Sequence, residues 1–153
     1  MRLATVYQRR DKFIVCPNGK TTAGVWIGIE PIVVLHTSEH EPLGCAVRRA
    51  LHASRSNLRH PELEEWDSIA APLYALVDVK TWGAFARGAE LVSVEADHAT
   101  IRLLPQENRG ARDGFQPIGL PTFEVAEAVS DEELGLAVME AMAVARAREP
   151  HRK

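Results

Sequence analysis

His36-Thr37-Ser38-Glu39-His40 is the first place in this 153-residue chain where residue types and spacing suggest chemistry. It spells H-x-x-E-H, in which two imidazoles hold zinc and the carboxylate serves as general base. That chemistry needs both histidines on one helical face. Here the pattern straddles the end of an apolar strand and the start of a helix, and Pro42 follows closely, so it reads as a polar turn. Gly19-Lys20-Thr21 ends like a P-loop, but Ile14 occupies the position of that loop's first glycine and no helical run follows. His52, Ser54 and His60 offer a nucleophile and a base without the third orienting group and oxyanion site that such a pair needs. No G-x-G-x-x-G, G-x-S-x-G or paired C-x-x-C occurs. Cys16 and Cys45 are too few for a disulfide framework or a four-ligand zinc site. The expectation is a protein that is not an enzyme and that uses no metal and no cofactor.

Two polar stretches are better suited to binding. Glu62, Glu64, Glu65 and Asp67 surround Trp66. Acids at a helix start complement the helix dipole and face water. The alternative is an aromatic anchor in a negative patch that docks on a basic protein. A core position is the commoner fate of a tryptophan. The second stretch, Glu107 to Phe115, is polar and glycine-rich, and its Arg109, Arg112 and Asp113 suit contacts with phosphate or a charged partner. The plain alternative for it is a solvated hairpin loop.

The elements that must position these stretches show an internal echo. Leu43 to Arg55 aligns with Leu134 to Arg146 at a constant offset of 91, with Leu-Gly, Ala-Val, a central Ala and a final Arg in register. Both segments predict helices: Leu43, Val47 and Leu51 share one face, as do Leu134, Val138 and Met142. A small-residue stripe runs beside each, Ala46, Ala50 and Ser54 in one and Ala137, Ala141 and Ala145 in the other, which lets a helix lie close on a sheet or on its twin. Ser130 with Glu133, and Ser38 with Glu41, predict capping boxes. Strands are expected at Phe13–Cys16, Val25–Ile29 and Ile32–His36, with turns at Pro17-Asn18-Gly19 and Glu30-Pro31. The second set is Leu91–Glu95, Thr100–Leu104 and Thr122–Ala126, with a hairpin turn at Asp97-His98. Between the sets, Pro61 to Ala70 predicts a helix that Pro72 ends. The reading is α+β: strands then a helix, twice, with mainly antiparallel sheet, in one domain whose repeats span roughly 12–55 and 91–146.

Composition agrees with an ordinary soluble domain: 46% hydrophobic, 25% charged, 6% aromatic, net charge −3. No apolar run approaches the ~20 residues of a membrane helix. The N-terminus has three arginines within ten residues and no apolar core, so it is not read as a secretory signal. We expect a cytoplasmic protein with no membrane partner. Acidic charge and few aromatics speak against nucleic-acid binding and suit a basic partner.

Several segments resemble a bacterial family. They are Thr22-Ala23-Gly24-Val25, Leu43-Gly44 to Arg55, Trp82-Gly83-Ala84-Phe85 to Glu95, Gly114-Phe115, and Ser130-Asp131-Glu132-Glu133-Leu134-Gly135 running into an alanine-rich helix. Together they look like the immunity proteins of contact-dependent growth inhibition (CDI) systems, over about Thr21 to Arg146. Pro42 departs from the acidic residue usual there, and the loop around Arg109 is individual to this chain. The resemblance implies an antitoxin-like protein of Whirly-like fold with pseudo-two-fold symmetry. It would bind the cognate toxin domain, a ribonuclease with a basic cleft. The contact residues expected are Glu62, Glu64, Glu65, Trp66 and Asp67, then Arg109, Arg112 and Asp113. Whirly proteins bind single-stranded nucleic acid, which supplies the alternative function.

Overall fold

The computed structural model describes residues 1–36, 39–119 and 122–147. Its centre is two antiparallel hairpins joined edge to edge. β1 (Arg2–Arg9) pairs with β2 (Lys12–Thr21), and β6 (Ala89–Asp97) pairs with β7 (Thr100–Asn108). β1 and β6 then pair antiparallel, with Val6 opposite Val92. Short strands extend both edges. β3 (Trp26–Gly28) and β4 (Val33–Leu35) lie along β2, and β8 (Phe115–Pro117) and β9 (Phe123–Ala126) lie along β7. β5 (Arg55–Leu58) runs parallel to the end of β2. The class is mixed α+β with a mainly antiparallel sheet.

Strand periodicity divides the core in two. Ala4, Val6, Phe13, Val15, Val92, Val94, Ile101 and Leu103 point to one face, which α1 (His40–Ala53) and α6 (Asp131–Ala147) cover. The expected helical stripes are the ones buried there: Leu43, Val47, Leu51, Leu134, Val138 and Met142 are all at most 2% exposed. Ile14 and Tyr7 point to the other face. Short helices cover part of it: α2 (Trp66–Ile69), α3 (Ala71–Leu76) and α4 (Trp82–Ala86), contributing Leu73, Phe85 and Trp82. Among the described residues no helix is long and apolar enough to cross a membrane.

The two long helices meet at their first turns through glycine. A Cβ on Gly44 would overlap the Asp131 carbonyl oxygen and lie 2.9 Å from the Gly135 nitrogen. A Cβ on Gly135 would overlap the His40 carbonyl oxygen and lie 2.9 Å from the His40 Cα. Backbone therefore packs on backbone, in both directions. Arg48 on α1 locks the junction: its Nε donates to Asp131 Oδ1 at 2.8 Å, and its terminal nitrogens donate to the Glu127 and Val129 carbonyls at 2.7 and 2.5 Å. Arg146, near the end of α6, pairs with the buried Glu90 of β6 at 3.3 Å.

Several expectations are corrected. Pro17-Asn18-Gly19 is not a turn but the middle of β2. Pro17 falls between the stretch that pairs with β4 (Phe13–Val15) and the stretch that pairs with β3 (Asn18–Lys20), where a missing N–H disrupts no ladder. Pro72 does not end a helix; it sits in the first turn of α3, where its missing donor costs nothing. The helix expected over 61–70 is split into a 3₁₀ turn (Leu63–Glu65) and α2. α1 begins at His40 with Glu39 as its N-cap residue, and Ser38 lies outside the described residues. Ser130 does cap α6, accepting from the Glu133 N–H at 3.1 Å. The second hairpin turns at His98 and Ala99, one residue beyond the expected start.

The glycine junction carries a signed prediction. Glycine to alanine on an open helix surface stabilises by about 1 kcal/mol. Gly44→Ala and Gly135→Ala should each destabilise by about 3 kcal/mol, because backbone must move to admit the methyl group. Urea unfolding measures this, and a variant as stable as the parent would contradict the close crossing.

Candidate functional site

Ser54, His60, Gly19 and Lys20, among the residues that suggested catalysis, take part in the fold's own hydrogen bonds and strands. Ser54 caps the end of α1. Its hydroxyl donates to the Asn18 carbonyl at 2.7 Å and accepts from the Leu3 N–H at 2.9 Å, and among the described residues no hydrogen bond joins it to a histidine. His60 Nδ1 lies 2.9 Å from the Thr21 hydroxyl. Gly19 and Lys20 are strand residues of β2. His36 follows β4 and His40 opens α1. Among the described residues no group of three or more His, Cys, Asp or Glu could hold a metal ion.

The acidic stretch forms a rigid projection instead. Glu65 is gripped from two sides: Arg59 donates to both its oxygens, at 2.9 and 2.6 Å, and the Glu62 N–H donates at 2.9 Å. Ser68 donates to the Glu65 carbonyl at 2.8 Å. The Arg59 pair first, and then the Glu62 N–H, hold the Glu65 carboxyl down to about 2. The edge of His60 meets the Trp66 ring with centroids 5.4 Å apart, and Thr21 fixes His60 in turn, so the projection is tied to the end of β2. Leu63 at its tip is 87% exposed and Trp66 is 37% exposed. The core reading of Trp66 is thereby overturned. The tryptophan stays in water because its imidazole neighbour and the short, broken helix hold it at the rim. Glu62, Glu64 and Asp67 are exposed around these two apolar side chains.

Beside the projection runs a groove of about 440 Å³ between the second sheet face and α2–α4. Its apolar walls come from Ile27, Ile29, Ile69, Leu73 and Trp82, and its floor from Thr5, Tyr7, Cys16 and Asn18. Asn18 Nδ2 donates to the Cys16 carbonyl at 3.3 Å. Burial pushes the Cys16 thiol up to about 11 and also raises the Tyr7 phenol, so both are neutral wall at neutral pH rather than nucleophiles. Glu30 and Arg55 stand at its sides.

The expected glycine-rich loop contains a short helix, α5 (Gly110–Asp113), that packs on α4. Arg109 Nε donates to Glu107 at 3.1 Å, while Arg112 and Asp113 are exposed. Phe115 beyond them meets Tyr7 and Trp82 edge-on, at 6.1 and 5.9 Å. Both expected contact clusters thus border the second layer. Among the described residues no hydrogen bond or ion pair joins one cluster to the other. The groove itself escaped sequence reasoning, because its walls come from four separate segments that carry no common motif.

The fold and its surface define an α+β chain whose projecting side chains suit recognition of another surface. The family model of CDI immunity proteins, CdiI, matches residues 36–145, and the chain belongs to that family. Two solved structures share the fold. A protein of unknown function from Neisseria meningitidis, NMB0488, has a TM-score of 0.77 at 16% identity, over 94% of each chain. A chain of the CdiA-CT/CdiI toxin and immunity complex from Yersinia pseudotuberculosis has a TM-score of 0.69 at 17% identity, over 93% of this chain and 95% of that one. No curated protein matches the chain.

The Glu65 clasp has a pH consequence. A depressed carboxyl keeps its bonds above its ordinary value near 4.5 and loses them as pH falls toward about 2. Carbon-13 titration should place the Glu65 midpoint near 2, and Arg59→Ala should raise it toward the usual carboxylate range, with the Glu62 N–H bond still holding it below. An unshifted Glu65 in the parent protein would contradict the clasp.

Proposed function

We propose that this chain neutralises the toxic C-terminal domain of a CDI exoprotein by binding it, without catalysing a reaction, in the cytoplasm. Membership of the immunity family supports this, as does the fold shared with a chain of a toxin and immunity complex. The observation that carries it is the clasped turn, which displays Leu63 and Trp66 within a collar of Glu62, Glu64 and Asp67. A side chain fixed before the encounter loses little entropy on binding. An aromatic anchor ringed by charge has the make-up of an interface hot spot.

The partner we propose is a ribonuclease. A nuclease cleft attracts phosphates and is therefore positive. The carboxylates of Glu62, Glu64 and Asp67 match such a surface and steer the encounter, and Glu65, paired with Arg59, holds the turn that presents them. Arg109, Arg112 and Asp113 complete the contact from the other cluster bordering this layer. The acid collar disfavours the single-stranded nucleic-acid alternative, because phosphates would meet like charge.

We further propose that the chain is one domain built from two copies of a hairpin-and-helix unit of Whirly-like type, related by a pseudo-two-fold axis. The reciprocal contacts at Gly44 and Gly135 support this: their partners, Asp131 and His40, are separated by the same 91 residues as the glycines themselves.

Co-expression with the toxin domain encoded immediately upstream tests the function. Cells should survive, and one equivalent of the purified protein should stop RNA cleavage by that domain. Trp66→Ala should weaken the complex by about 2 kcal/mol, or roughly thirtyfold. Glu64→Lys with Asp67→Lys should slow association by about tenfold at low salt. Cell death with the protein soluble and folded would reject the proposal.

A further inference from the structure

The groove beside the projection carries two exposed ionic side chains that pair with no other side chain among the described residues. Glu30, just after β3, and Arg55, at the start of β5, both line it and are both exposed. Among the described residues neither side chain makes a hydrogen bond or an ion pair, and they do not pair with each other. They share the groove with an apolar lining of Ile69, Leu73 and Trp82. The groove's volume of about 440 Å³ falls in the range of pockets that bury a bound group, about 300–1,000 Å³. Trp82 is held against the groove wall, its ring stacked on the fully buried Phe85 with centroids 5.7 Å apart.

The groove is also continuous with the clasped turn. Ile69 is the last residue of α2 and Trp66 the first, so the wall of the groove and the exposed anchor belong to one helical turn. A partner seated on Leu63 and Trp66 meets the mouth of the groove next.

We infer that this groove seats one segment of the toxin: a large apolar side chain in the trough, with a cation facing Glu30 and an anion facing Arg55. This rests on the toxin-binding reading above. It adds a second contact that is dipolar rather than purely acidic, and so a source of discrimination. A basic surface alone satisfies the collar, but only a segment with both charges in the right order satisfies the groove. A toxin with the charges reversed meets like charge at both ends.

The test is titration calorimetry of the purified chain against the toxin domain encoded immediately upstream. Ala70→Trp fills the trough; Glu30→Arg and Arg55→Glu reverse the exposed ends. The filled variant should bind about a hundredfold more weakly, and each reversal about tenfold, with melting temperatures near that of the parent. The two reversals should lose their effect as salt rises; the filled variant should not. If the parent binds and all three variants bind within about threefold of it, the groove is not the seat, while toxin binding stands. If only Ala70→Trp weakens binding, the dipolar occupant is wrong. If the parent itself does not bind, the toxin-binding reading fails and the groove assignment falls with it. Should Ala70→Trp misfold, the two exposed reversals decide alone.

Discussion

Everything in this fold depends on two helix backbones touching at Gly44 and Gly135. The first turns of α1 and α6 come so close that a single methyl group at either glycine would overlap a carbonyl oxygen of the other helix. That proximity lets both helices lie on the same face of a narrow sheet, so that one layer of Leu, Val and Met is shared between them. It also brings together two positive helix ends, which repel. Glu41, Asp131, Glu132 and Glu133 in the first turns offset that repulsion. Arg48 then bonds the acid and carbonyls of the facing helix start, so the junction is specified as well as close.

Because both long helices are used on one face, the other is left to the irregular stretch between β5 and β6. Pieces of four to six residues cannot cover a sheet as a long helix does. Where they fall short, a groove remains. The same brevity leaves Trp66 at the rim, with the clasp of Arg59 on Glu65 holding its turn in shape. The fold thus has one face sealed by long helices and one that displays hydrogen-bonded, exposed side chains.

The long helices were legible in sequence because three-to-four spacing of Leu, Val and Met has one strong meaning, and the stripes are buried as expected. The constant offset of 91 also placed Gly44 and Gly135 at matching positions, although spacing alone did not reveal that they touch. Strand β1 was missed: Arg2, Arg9 and Arg10 drew attention to charge, while its alternation of Ala4 and Val6 against Thr5 and Tyr7 is short. Pro17 misled because a proline inside a strand is harmless only at a break between partners, and that break is set by tertiary pairing. The acidic cluster was found by composition. That Trp66 faces solvent was not, since its place at the rim turns on a ring contact with His60, which is fixed in turn by Thr21, 45 residues before Trp66 in sequence. The groove was invisible for the same reason.

Amide hydrogen exchange on the protein alone and with its toxin domain tests the account most directly. Slowed exchange is expected in 27–30, 62–73 and 109–113, with the outer faces of α1 and α6 unchanged. Protection confined to those helices, with the second layer exchanging as in the free protein, would contradict it.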